Sequence, residues 1–114
     1  MESENILFSN YLSSIKITLV GTTHPGNIGA SARAIKTMGF KQLDLVNPKE
    51  FPSDQAIYRS KAAKDILHKA SVHKTLLESV KDCELVIGTS ARNRKVPWPV
   101  LNPKDASKEI QTQV

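Results

Sequence analysis

Two hydrophobic periods alternate along the chain. In Ile15–Val20 the apolar Ile15, Ile17, Leu19 and Val20 sit among β-branched residues, which predicts a short buried strand ended by Gly21. Thr22-Thr23-His24-Pro25-Gly26-Asn27 is loop chemistry, and beyond it Ile28, Ala32, Ile35 and Met38 recur at helical spacing. They predict a helix from about Asn27 to Met38 with Gly39 as its C-terminal stop. Leu43–Val46 predicts a second strand, closed by Asn47-Pro48. Asp54 reads as the N-cap of a helical segment whose apolar positions are Ala56, Ile57, Ala62 and Ala63. Ser71-Val72-His73 reads as a short extended piece, Leu76–Lys81 as a helix and Leu85–Gly88 as a strand, with Cys83 a small buried group at that strand's start.

Strands alternating with helices predict an α/β domain with a parallel sheet joined by right-handed crossovers. Prolines at 97, 99 and 103 then interrupt the pattern, and the polar stretch Lys104–Val114 has little to bury, which predicts a disordered tail. The expected division is an N-terminal extension over 1–14, an α/β domain over 15–103 and a polar tail over 104–114.

Composition narrows the class. With 114 residues, 39% hydrophobic and 24% charged, the chain fits one globular domain rather than a disordered or membrane protein. No stretch is apolar enough to span a bilayer, and acidic Met1-Glu2-Ser3-Glu4 leads into no long apolar run, so a cytoplasmic protein without a secretory signal is expected. Cys83 is the single cysteine, which excludes an intrachain disulfide and a Cys-x-x-Cys zinc site. His24, His68 and His73 are too scattered to propose a metal site or a catalytic triad, so no metal is expected.

The net charge of +5 and a pI near 9.5 permit a polyanionic partner without requiring one. Position is more telling than total. Arg92, Arg94 and Lys95 cluster beside Trp98 in a proline-rich segment, a basic loop with an aromatic that suits phosphates and unstacked bases.

A strand, a glycine-bearing turn and a helix N-terminus form a recurrent anion or cofactor site, because unpaired N–H groups and the helix dipole face one crevice. The familiar nucleotide motifs fail here. Gly21-xxxx-Gly26 is followed by Asn27-Ile28 where a P-loop needs Lys and Ser or Thr, and Gly26-Asn27-Ile28-Gly29 lacks the Gly-x-Gly-x-x-Gly spacing. Gly26 and Gly29 otherwise serve only a tight turn and close helix packing. Arg33 lies in the second turn of the predicted helix, off the Ile28/Ala32/Ile35 face, with small neighbours at Ala30, Ser31, Ala32 and Ala34, so that its guanidinium reaches the crevice or simply the surface. For Asn27 the plain alternative is an N-cap.

His24-Pro-Gly-Asn-Ile-Gly-Ala-Ser-Ala-Arg-Ala-Ile-Lys-Thr-Met38 resembles the N-terminal signature of the TrmH-like SPOUT superfamily of RNA 2′-O-methyltransferases. Leu45-Val46-Asn47-Pro48 and Gly88-Thr-Ser-Ala-Arg-Asn-Arg-Lys-Val-Pro-Trp-Pro99 narrow the resemblance to the TrmJ branch, whose members methylate an anticodon-loop ribose in tRNA. The matching stretches cover most of Ile15–Pro103.

The resemblance implies a Rossmann-like parallel sheet with flanking helices, S-adenosylmethionine as cofactor, tRNA as substrate and a homodimer. It implies Arg33 as the active-site arginine, with Asn27 shaping the same crevice. Thr89, Ser90 and Ala91 would contact the cofactor, Arg92 would face the crevice, and Arg94 and Lys95 would meet the tRNA backbone. The family's C-terminal trefoil knot, with its Gly-x-Glu and Asn-x-Ser or Ser-Leu-Asn segments, has no counterpart in these residues. The expected fold is therefore the N-terminal part of a SPOUT domain lacking the knot. Three functions follow from this: a tRNA ribose methyltransferase, an inactive RNA-binding remnant, or a self-associating module.

Overall fold

The computed structural model describes residues 10–89 and 101–113. Residues 10–13 are helical and lead into strand β1, Lys16–Val20. Helix α1 spans Pro25–Thr37, β2 Gln42–Val46, α2 Asp54–Ser60, a 3-10 turn Lys61–Ala63, α3 Lys64–His68, β3 Ser71–His73, α4 Leu76–Val80 and α5 Pro103–Gln113. The chain divides into two units, Met1–Lys81 and Asp82–Val114. In the first, three parallel strands lie in the order β1-β2-β3, with Leu19 opposite Leu45 and Val46 opposite His73.

Alternation along the strands gives the sheet two different faces. Leu43 and Leu45 of β2 pack with Ile28, Ala32 and Ile35 of α1, and Ile17 and Leu19 of β1 join them half-buried. Burying each isoleucine of α1 contributes about 1.5–3 kcal/mol, more than the helix gains from intrinsic propensity. Asp44, Lys16, Thr18 and His73 occupy the other face.

Helix α1 begins two residues before the predicted start. Pro25 suits a first helical position because it needs no N–H partner, and His24 is the N-cap with extended backbone and no side-chain cap bond. At the other end the Phe40 N–H donates to the Ile35 carbonyl at 3.0 Å and the Gly39 N–H to that of Lys36 at 3.1 Å. This Schellman closure needs a left-handed residue, supplied by Gly39 at φ 88°. The predicted stop therefore holds, but Met38 leaves the helical face and is 66% exposed, because the chain turns at the cap before its side chain can reach the core.

Helices α1 and α2 approach very closely. A Cβ built on Gly29 would lie 2.2 Å from the Ala56 carbonyl oxygen and 2.9 Å from the Ser60 nitrogen, so no larger residue fits without moving backbone. The N-cap of α2 is Ser53 rather than the predicted Asp54: its Oγ accepts from the Ala56 N–H at 3.1 Å, and Asp54 takes the next position, where its charge suits the helix dipole. Ala56 and Ala63 are buried and Ile57 is half-buried as the pattern predicts, whereas Ala62 is exposed, because Lys61 at φ 51° breaks the helix before it.

Three further expectations change. Leu85–Gly88 is irregular chain with Val86 and Ile87 exposed, because β-forming residues make a strand only where a neighbouring strand pairs with them, and among the described residues none does. Cys83 accordingly lies exposed in the connection after α4. The supposed disordered tail is helix α5. Pro103 opens it, the Asn102 Oδ1 accepts from the Asp105 N–H at 2.8 Å, and Asp105 lies in the first turn. That cap signature was present in Asn102-Pro103-Lys104-Asp105 and outweighs the low apolar content.

Two measurements test the packing. Gly29→Ala is expected to destabilise the protein by about 1–3 kcal/mol in urea unfolding, the cost of overpacking a closed helix contact; an unchanged midpoint would show that α2 moves aside freely. On the exposed side, the Lys36 Nζ donates to Asp65 Oδ1 at 2.9 Å and holds that carboxyl below its ordinary value of 3.8, chiefly through this hydrogen bond and then through its charge. A lowered folded-state value contributes stability above the unfolded value and loses it as pH falls through the folded one. Asp65→Asn should therefore lower the melting temperature slightly at neutral pH and not at all once acid has protonated the wild-type carboxyl.

Candidate functional site

Parallel strands place their carboxyl ends on one edge, where ligands of open α/β sheets bind. Here β1 ends at Gly21, whose N–H continues the ladder to the Val46 carbonyl at 2.8 Å, and β2 ends at Asn47, whose N–H reaches the His73 carbonyl at 2.8 Å. Gly21 and Asn47 both take positive φ, 64° and 48°, so each strand turns sharply as it leaves the sheet. The Lys49 N–H donates to the Thr22 carbonyl at 3.0 Å and ties the two loops together. The first turn of α1 starts immediately beyond this braced edge.

Asn27 and Arg33 both project from α1 and both are exposed. Asn27 is the third helical residue, not the N-cap, and its backbone N–H donates to the His24 carbonyl at 3.0 Å. Because α1 starts early, Arg33 falls in its third turn rather than its second, about 12 Å along the axis from the first residue. Six residues of separation turn the two side chains about 120° apart around the helix, so they share an element but not a face. Among the described residues, the Arg33 guanidinium makes no hydrogen bond or ion pair. Thr89 lies exposed in irregular chain of the second unit, and Ser90, Ala91, Arg92, Arg94 and Lys95 lie outside the described residues.

A cluster that the sequence reading missed sits on the second face of the sheet. The Asp44 carboxylate, nearly fully buried, accepts from Ser79 Oγ at 2.8 Å and lies 3.0 Å from His73 Nε2 and 3.2 Å from Lys16 Nζ, all at Oδ2. Lys16 Nζ also donates to the Ser79 carbonyl at 2.9 Å, and Thr18 Oγ1 is 3.3 Å from Ser79 Oγ. A serine, a histidine and an aspartate together evoke nucleophilic catalysis, but the connectivity is wrong. A relay needs the histidine between the other two, whereas here Ser79 and His73 bind the same aspartate oxygen side by side. The cluster joins β1, β2, β3 and α4. Period-two alternation placed Asp44 opposite Leu43 and Leu45, the one clue available in sequence.

The SpoU rRNA methylase family matches residues 14–108. The chain belongs to that family. Its relatives include the tRNA (cytidine/uridine/adenosine-2′-O-)-methyltransferase TrmJ of Pseudomonas aeruginosa, 50% identical over 96 residues that make up 84% of this chain and 37% of that protein. The tRNA (cytidine/uridine-2′-O-)-methyltransferase TrmJ of Sodalis glossinidius is 52% identical over 101 residues, 88% of this chain and 40% of that one. The chain thus spans about two-fifths of the length of these relatives. Among solved structures, a probable methylase family protein from Haemophilus influenzae Rd KW20 superposes with a TM-score of 0.82 at 42% identity, over 89% of this chain and 43% of that one. TrmJ from Z. mobilis ZM4 gives 0.82 at 36% identity, over 85% and 44%. The parallel sheet with flanking helices is therefore the SPOUT methylase fold of this family, and the TrmJ resemblance read from Gly88–Pro99 agrees with the TrmJ relatives.

Asp44→Asn is expected to destabilise the SpoU family domain by about 2 kcal/mol, since the carboxylate is buried while its Lys16 and His73 partners are partly solvated. Its effect should also be non-additive with Ser79→Ala in a double-mutant cycle read by urea unfolding. Strict additivity would show that Ser79 and Asp44 do not act as one unit.

Proposed function

We propose that this chain carries the RNA-receiving side of a 2′-O-ribose methyltransferase acting on the tRNA anticodon loop, with S-adenosylmethionine as methyl donor. The single observation that carries the reading is the Arg33 guanidinium, exposed and without a hydrogen bond or ion pair among the described residues, on the helix that leaves the carboxyl edge of the sheet. Membership of the SpoU rRNA methylase family and half identity to proteins named tRNA 2′-O-methyltransferases support it.

In this reaction a ribose hydroxyl must be held in line with the methyl group and must lose its proton. Arg33 is not the base, because guanidinium stays protonated in proteins. It clamps a substrate phosphate and stabilises negative charge as it develops on the ribose oxygen. Asn27 stands in the first turn of α1, on a different face of the helix from Arg33 and nearer the carboxyl edge of the sheet, and Arg92, Arg94 and Lys95 are assigned to RNA on the resemblance.

Thr89, Ser90 and Ala91 are assigned to S-adenosylmethionine on the resemblance. The described residues do not by themselves fit it: every buried side-chain nitrogen and oxygen among them already has a hydrogen-bond partner, and Thr89 alone of the three lies within them. A homodimer and a cytoplasmic setting complete the proposal. No helix among the described residues is long and apolar enough to cross a membrane.

Calorimetric titration of the 114-residue chain with S-adenosylmethionine, followed by transfer of labelled methyl to unmodified tRNA, tests the reading. Binding heat and methylation are expected, with Arg33→Ala slowing transfer by about 10²-fold or more, as for loss of a charge-stabilising donor. Full activity of that variant would overturn the assignment of Arg33. Binding of tRNA without heat or transfer would leave an RNA-binding module in place of an enzyme, and light scattering would report a dimer.

A further inference from the structure

We propose that Arg59 of α2 forms, with Arg33 of α1, a two-arginine clamp for adjacent phosphodiesters of an RNA backbone, laid along the seam where the two helices touch. The inference rests on the RNA-binding reading above and extends it to a residue outside both sequence signatures.

The geometry comes from the glycine contact. At 100° per residue, Arg33 falls between Gly26 and Gly29 in angle, about 20° from the first and 40° from the second. All three therefore share the face of α1 that meets α2. On the opposing helix, the Arg59 Cβ lies 2.8 Å from a Cβ built on Gly29, and its Cγ lies 3.7 Å from one built on Gly26. The absence of side chains at the two glycines is what lets the Arg59 stem lie flat against α1. Long helical side chains lean back over the preceding turn, which for Arg33 is the turn containing Gly29. The two stems thus occupy one surface, and both residues are exposed.

Charge makes the arrangement informative. Among the described residues neither guanidinium has a hydrogen bond or ion pair, although arginine readily finds a carboxylate. Lys36, one turn beyond Arg33, does have one in Asp65. The acidic residue of α2, Asp54, is at the opposite end of the helix from Arg59. Lys61, the next cation along the chain, is engaged elsewhere, 3.9 Å from the centroid of the exposed Tyr58 ring. Two unneutralised planar guanidiniums on one face repel each other unless an anion lies between them, and a phosphodiester chain supplies anions at regular spacing.

The experiment is fluorescence anisotropy of the whole chain with unmodified tRNA across a salt series. Each phosphate contact contributes about 0.7–0.9 to the slope of log affinity against log salt. Arg59→Met keeps the packed stem and removes the charge, so it is expected to reduce the slope by about that amount without lowering the melting temperature. Arg59→Lys should restore the slope, and Lys69→Ala, on an exposed position after α3, should leave it unchanged. A wild-type slope in Arg59→Met, with Arg33→Ala still reduced, would overturn the clamp and leave the RNA-binding function standing. No salt-sensitive tRNA binding by the wild-type chain would overturn both.

Discussion

The contact between α1 and α2 decides where nearly everything else in the first unit lies. With hydrogen alone at Gly29, the α2 backbone comes to within 2.2 Å of where a Cβ would stand. That closeness buries Ala56 and Ser60 completely and allows α2 to end at Lys61 in a left-handed turn. It also fixes α1 against the sheet, because the helix has two separate packing faces. Ile28, Ala32 and Ile35 are held by Leu43 and Leu45, while Gly26 and Gly29 are held by α2. A helix gripped on two faces cannot roll, so the direction in which Arg33 projects is set by packing remote from any ligand.

The two faces of the sheet do different work. One is an ordinary apolar layer. The other concentrates Lys16, Thr18, Asp44, His73 and Ser79 around a single carboxylate oxygen, in place of the apolar contacts that a helix on a parallel sheet normally makes. Buried ionic clusters contribute little net stability but penalise alternative registers heavily, since any slip strands a charge. In a sheet whose third strand has three residues, the His73 contact with Asp44 supplements the short backbone pairing of β3. The loops at the carboxyl edge inherit their positions from that register.

Arg33 and Arg59 illustrate how such a scaffold assembles a charged surface from remote sequence. Neither residue is needed for the core. Arg59 lies against the glycine seam of α1, and the lack of carboxylate partners of both arginines among the described residues is what distinguishes them from Lys36. The family signature around Asn27 and Arg33 draws attention to one helix. The helix packed against it carries a second arginine of like charge, in a segment without any motif.

Alternation of short apolar strands with a helical repeat was enough to predict a parallel α/β sheet, the β1 and β2 strands, the Ile28/Ala32/Ile35 face and the Gly39 stop, because each is written in local periodicity and cap chemistry. The family was legible for the same reason, since its two signatures are contiguous. Other features depend on partners distant in sequence. Leu85–Gly88 has the composition of a strand but forms none among the described residues, because a strand exists only with a neighbour to pair with. The Asp44 cluster draws on residues separated by up to 63 positions, and the place of Arg59 on α1 depends on a gap left by two glycines. Sequence determines which segments fold and which family chemistry they resemble, whereas only the tertiary structure decides which charges meet, because helix-to-helix distance and strand register arise from packing between segments and not from any one of them.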